Sequence, residues 1–138
     1  MPAKIIDGKL LAEKIQEEVR QEVQRLGFTP GLAVFLVGDD EASKLYVKLK
    51  EKACKEVGID FHKYLCTAET GASDLLEAIR FIDEDHHIDA ILVQLPLPEG
   101  FDTQKVIDTI DPSKDVDGFH PETLKKFLSG KSEFLPGL

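Results

Sequence analysis

Two short stretches, LAVFLV at 32–37 and DAILVQL at 89–95 with AILV unbroken inside it, constrain the fold more than any other feature of the sequence. A strand with one wet face alternates apolar and polar side chains, whereas an unbroken apolar run of strand length suits burial on both faces. Such burial needs covering layers, and the intervening segments supply them. In KLLAEKIQEEVRQEVQRLG (9–27), Leu10, Leu11, Ile15, Val19, Val23 and Leu26 recur at helical spacing, with charges on the other side and Gly27 placed as a C-cap. A second helix follows VGDD, with Asp39 or Asp40 as N-cap and Gly58 as its stop. IDFHKYLC (59–66) alternates as a strand, and TGASDLLEAIRFIDEDH (70–86) is a third helix with a stripe of Leu75, Leu76, Ile79 and Ile82. Pro96 and Pro98 end the second apolar run, because proline cannot donate to a strand ladder. Short helices are expected at 102–110 and 121–130, around a loop at 111–120. Strands alternating with helices predict an α/β protein, a three-layer α/β/α sandwich with a mainly parallel sheet, in one domain over residues 1–138.

Several function classes are disfavoured. A formal charge of −9 repels nucleic-acid phosphates, although a local basic site for a small anion remains compatible with it. No apolar run approaches the ~20 residues that span a bilayer, and MPAKIIDGK lacks a leader's apolar stretch, so no membrane partner and a cytoplasmic location are expected. Cys54 and Cys66 form no CxxC pair and are read as two reduced thiols. HExxH, P-loop and GxGxxG motifs are absent, and His86-His87 reads as a helix end rather than a metal site.

The stretch SKLYVKLK (43–50) carries the first chemical signal. At about 100° per residue, Lys44, Lys48, Lys52 and Lys55 share one arc beside Glu51, which reads as a solvated ridge. Leu45, Leu49 and Ala53 form an adjoining apolar arc that is expected to face the core. Lys50 belongs to neither arc. It projects with Ser43, Tyr46, Val47, Cys54 and Val57, and Tyr46 is its neighbour one turn back. A lysine on such a face either snorkels to solvent or lines a cleft where desolvation permits acid–base work.

Two further stretches bear on that choice. In open parallel sheets, ligands bind beyond the carboxyl ends of the strands, and both VGDDEAS and VQLPLPEG leave such ends. Gln94 is the polar residue of its run; its amide needs partners, either in the core or from a lysine donor. In KDVDGFH, Asp115 and Asp117 point in alternate directions if extended, and Gly118 permits a tight turn. Ordinary turn chemistry and a carboxylate aimed at an amidine-like ligand edge both fit.

Together IIDGKLLAEKI, PGLAVFLVGDDEASKLYVKLKEKACKEVGI, ILVQLPLP and DPSKDVDGFHP resemble the bifunctional methylene-tetrahydrofolate dehydrogenase/methenyl-tetrahydrofolate cyclohydrolase family over nearly the whole chain. The resemblance implies that Lys50 is the catalytic lysine, acting at the one-carbon bridge and on water. It implies that Tyr46 packs on the folate and orients that lysine, that Gln94 is hydrogen-bonded to it, and that Asp117 binds the pterin edge. Ser43 and Pro96 fall among the substrate-binding positions. The sequence departs from the family after FHP, where ETLKKFLSG, with Thr123 and Lys125, replaces the usual asparagine and glycine. It departs again after FLP, where Gly137-Leu138 stands in place of Cys-Thr-Pro and the NADP-binding Rossmann domain. The resemblance therefore implies the folate-binding catalytic domain of a one-carbon enzyme, with no cofactor bound by this chain and NADP used by the full-length family. No dehydrogenase activity and at most weak cyclohydrolase activity are expected. The full-length family is homodimeric, largely through the other domain, so the sequence leaves the oligomeric state of this chain open, with a monomer compatible. The alternative is a non-catalytic folate-binding or interaction module.

Overall fold

In the computed structural model, residues 3–132 are described. The FLPGL segment lies outside them. The elements are α1 (Gly8–Leu26), β1 (Gly31–Val37), α2 (Glu41–Val57), β2 (Asp60–Cys66), α3 (Ala72–Asp83), β3 (Ala90–Val93), α4 (Thr103–Thr109) and α5 (Pro121–Leu128). Both unbroken apolar runs become strands, and β1 is central in a sheet of order β2-β1-β3. Pairing is parallel on both sides, with Phe35 opposite Tyr64 and Val93.

Local chemistry sets the helix ends. Asp7, Asp40 and Asp102 cap α1, α2 and α4 by accepting the backbone N–H of Leu10, Ser43 and Lys105. Of the two aspartates that could start α2, Asp40 is the cap. Gly27 (φ 75°) and Gly58 (φ 89°) end α1 and α2 in the left-handed region, where a Cβ is costly. The third helix is shorter than its periodicity predicts, and β3 keeps only four residues before Gln94 leaves the strand.

The sheet is buried on both faces by separate layers. Ala33, Phe35, Val37, Ile91 and Val93 pack with Leu75, Leu76, Ile79 and Ile82 of α3 and Val106 of α4. Val34, Leu36 and Leu92 form a smaller core with Val47 of α2. Cys54 and Cys66 are free thiols.

One expected arc faces the wrong way. Leu45 and Leu49 are exposed (57% and 52%) and Ala53 is half-buried, so the leucine arc does not face the core. The sheet-facing arc is that of Ser43, Val47, Cys54 and Val57, whose small side chains let the helix approach the sheet closely. The α1 stripe is also exposed at Leu10, Leu11, Ile15, Val19 and Leu26. The reason is that α1 rests on α2, with Val23 beside Gly58, rather than on the sheet.

The start of β1 is clasped to the segment before β3. The Gly31 N–H donates to Asp89 Oδ2 at 2.9 Å, and the Asp89 N–H donates to the Gly31 carbonyl at 2.8 Å. A Cβ at Gly31 would overlap the His87 carbonyl oxygen, a backbone atom that cannot swing aside. Gly31→Ala should therefore cost about 3 kcal/mol in urea unfolding, the upper range for overpacking. Gly8→Ala, with nothing within 4 Å of its Cβ, should cost nothing. Equal stability of the two variants would contradict this packing.

Candidate functional site

The sheet-facing side of α2 places the site. Ser43, Val47, Cys54 and Val57 are buried against the sheet, and Lys50, on the same arc, is half-buried. Its Nζ donates to Gln94 Oε1 at 2.6 Å. Gln94 sits immediately past β3, where its backbone N–H donates to the Phe35 carbonyl at 2.9 Å. Its side-chain Nε2 donates to the Leu95 carbonyl at 2.9 Å, which turns Oε1 towards the lysine. The Leu95–Pro96 peptide that follows is cis, and Pro96 is exposed. Gly38 (φ 84°) brings the β1–α2 turn against this proline segment: a Cβ there would lie 2.7 Å from Pro98 Cγ.

The 115–120 turn closes the cluster. Asp115, 4% exposed, accepts the backbone N–H groups of Gly118 (3.1 Å), Phe119 (3.4 Å) and His120 (2.9 Å). Gly118 supplies the positive φ of 72°. Asp117 lies within this turn and is half-buried. Burial raises its carboxyl above the ordinary aspartate range, the Lys50 charge works against that rise, and the Asp115 charge adds to it. Lys50, Gln94 and Asp117 thus form one group, although they come from three separate segments.

The other expected site residues separate into two kinds. Tyr46, one turn before Lys50, is 58% exposed and leaves a ring face open. Ser43 is buried, and its backbone N–H donates to Asp40 Oδ2 at 2.7 Å. Its hydroxyl also bonds Asp40, and these bonds hold the Asp40 carboxyl low. Ser43 therefore builds the start of α2, two turns away from Lys50. The ridge is as the sequence predicts: Lys44 pairs with Asp39 and Glu41, Lys52 with Glu56 and Lys55 with Glu51. Two contributors went unassigned in the sequence. Asp115 carries an Asp-x-x-Gly turn signature with Gly118, and Gly38 has only its turn position to mark it.

A cavity of about 600 Å³ lies elsewhere, between α2 and β2, lined by Leu36, Val47, Lys48, Lys63, Leu65 and Thr67 among others. Neither Lys50, Gln94 nor Asp117 lines it, and its charged groups include the Glu51–Lys63 salt bridge. The polar groups singled out in the sequence converge instead at Lys50. Among the described residues no group of His, Cys, Asp or Glu could hold a metal ion, and no helix is long and apolar enough to cross a membrane. The arrangement suits a ligand that presents N–H donors to Asp117 and an electrophilic centre to Lys50.

Comparison with known proteins gives a consistent result. The profile of the tetrahydrofolate dehydrogenase/cyclohydrolase catalytic domain matches residues 6–117. The bifunctional protein FolD of Geotalea daltonii is 53% identical over 137 residues, covering 97% of this chain and 49% of that protein. The crystal structure of the bifunctional FolD methylenetetrahydrofolate dehydrogenase/cyclohydrolase from Campylobacter jejuni superposes with a TM-score of 0.89 at 42% identity, covering 94% of this chain and 48% of that one. The Trypanosoma brucei enzyme, crystallised with NADP cofactor and inhibitor, gives a TM-score of 0.86 at 32% identity over 91% of this chain and 44% of its own. The chain spans about half the length of the curated relatives it matches.

The raised Asp117 carboxyl has a consequence for stability. Folding favours its protonated form, a contribution complete below the unfolded aspartate value and lost as pH rises through the raised folded value. At neutral pH the ionised group is therefore a cost to the fold. Asp117→Asn should raise Tm at pH 7, on the order of 2 °C, and the gain should shrink as pH falls below the aspartate range. A lower Tm for the variant at pH 7, read by calorimetry, would contradict the assigned environment.

Proposed function

Because this chain belongs to the tetrahydrofolate dehydrogenase/cyclohydrolase family, matching its catalytic domain, we propose that the Lys50–Gln94–Asp117 cleft binds a reduced folate with its one-carbon bridge against Lys50. The observation that carries this reading is the 2.6 Å hydrogen bond from Lys50 Nζ to Gln94 Oε1. It holds a lysine off the solvated ridge, at the carboxyl end of β3, where a ligand of an open parallel sheet binds. Asp117 accepts hydrogen bonds from the pterin's amidine-like edge, and the open ring of Tyr46 packs on the folate. Gln94 and Pro96 complete the wall, and Ser43 supports the same helical face from its start.

The chemistry that these residues can perform is hydrolysis of the methenyl bridge. Water adds through oxygen to the bridge carbon beside Lys50 and loses one of its protons there. One carbon–nitrogen bond of the bridge then breaks as the new carbonyl forms, the hydroxyl proton passes to the leaving nitrogen, and formyl-tetrahydrofolate results. Gln94 keeps the lysine aimed at the carbon throughout, a positioning effect of the kind that intramolecular reactions exploit.

Oxidation of methylene-tetrahydrofolate needs a hydride acceptor, NADP in the parent reaction. The helix start after β1 does not favour one. The turn after β1 runs into Asp39, Asp40 and Glu41, three acidic residues that repel a pyrophosphate at the helix start where a dinucleotide would be cradled. We therefore assign no dehydrogenase step to this chain alone and a weak cyclohydrolase activity at most.

The test is the absorbance of methenyl-tetrahydrofolate with and without the chain. Turnover predicts loss faster than the spontaneous rate. Lys50→Met should return it to that rate, while Lys48→Met on the ridge should leave it unchanged. NADP with methylene-tetrahydrofolate should yield no NADPH. Equal activity in the two lysine variants would reject the assignment, and slower loss than the spontaneous rate would indicate a folate binder without turnover.

A further inference from the structure

The 115–120 turn contains a second carboxylate that ligand contact does not account for. Asp115 is 4% exposed and so closed off from solvent. A buried carboxylate without partners is costly, but this one accepts three convergent backbone N–H groups, from Gly118, Phe119 and His120. Its own backbone is anchored to the sheet: residue 115 bridges Ile91 in parallel, and the Ile91 N–H donates to the Lys114 carbonyl at 2.8 Å. The turn is thus tied to β3 at one end and drawn closed at the other by a single side chain. Asp117 lies inside that closed segment, and the positive φ of Gly118 completes it.

We propose that Asp115 is the positioning residue of this site: its buried carboxylate shapes the 115–120 turn so that Asp117 faces Lys50, and it acts on the ligand only through Asp117. The inference rests on the reading of Asp117 as a folate-binding group. Asparagine at 115 keeps one oxygen for the Gly118 and Phe119 N–H groups, but sets its amide nitrogen against the His120 N–H if oriented that way. It should restore the turn in part, whereas alanine removes every bond.

The decisive experiment is a double-mutant cycle on tetrahydrofolate affinity, measured by calorimetry on the full chain, with thermal unfolding to confirm that each variant folds. Asp117→Ala should weaken binding by about 10- to 150-fold, the scale of lost charge-assisted hydrogen bonds. Asp115→Ala should show a comparable loss, and the double variant should be no more than about threefold weaker than either single one, as for residues acting through one another. Asp115→Asn should recover part of the affinity. An unchanged affinity in Asp115→Ala, or fully multiplicative losses in the double variant, would overturn the proposal. If Asp115→Ala does not fold, the same cycle with Asp115→Asn decides it. An affinity within twofold of the parent in Asp117→Ala would instead reject the folate reading itself, and this inference with it.

Discussion

Burial of β1 on both faces is the constraint from which the rest of the structure follows. Val34 and Phe35 are both wholly inaccessible, and they point to opposite sides of the sheet. Each face therefore needs its own helical layer: α3 and α4 on the Phe35 side, α2 on the Val34 side. With parallel neighbours on either side, the turns that leave the strands gather at one edge. The site is assembled there because the topology brings β3's exit and the α2 face together.

The same constraint explains how a lysine comes to face inward. A helix lying close over a flat strand needs small side chains at the contact, and α2 offers Ser43, Val47 and Cys54 there. Lys50 shares that arc, and its long stem carries the ammonium to Gln94 rather than to solvent. Half-burying a lysine, an amide and a carboxylate is a poor way to stabilise a fold, as the raised Asp117 carboxyl indicates. Such a cluster is the sort of local cost that binding sites carry.

Much of this was legible in the sequence because it depends on periodicity. The apolar runs gave strands, Gly27 and Gly58 gave helix ends, the start of α2 was narrowed to Asp39 or Asp40, and angular position alone set Lys50 apart from Lys44 and Lys48. What failed was the direction of a whole arc. A helical wheel gives angles between side chains but not which arc meets the sheet; Leu45 and Leu49 are more hydrophobic than Ser43 and Cys54, yet the smaller set allows the closer approach. The two aspartates of KDVDG posed a different limit. Their spacing put them on opposite sides but could not say which one closes the turn, because that depends on three backbone amides converging on Asp115. The third helix's overlong reading has a simpler cause, since its last residues continue the polar composition after the apolar stripe ends at Ile82.

The central claim is that the ligand sits where Lys50, Gln94 and Asp117 meet and not in the roomier cavity between α2 and β2. Titration of the isotopically labelled chain with tetrahydrofolate, followed by backbone and side-chain amide resonances, distinguishes the two directly. The account predicts saturable shifts at Tyr46, Lys50, the Gln94 side-chain amide and the 115–120 turn, with Lys63, Leu65 and Thr67 unmoved. Shifts concentrated at Lys63, Leu65 and Thr67, with the Gln94 amide silent, would contradict it.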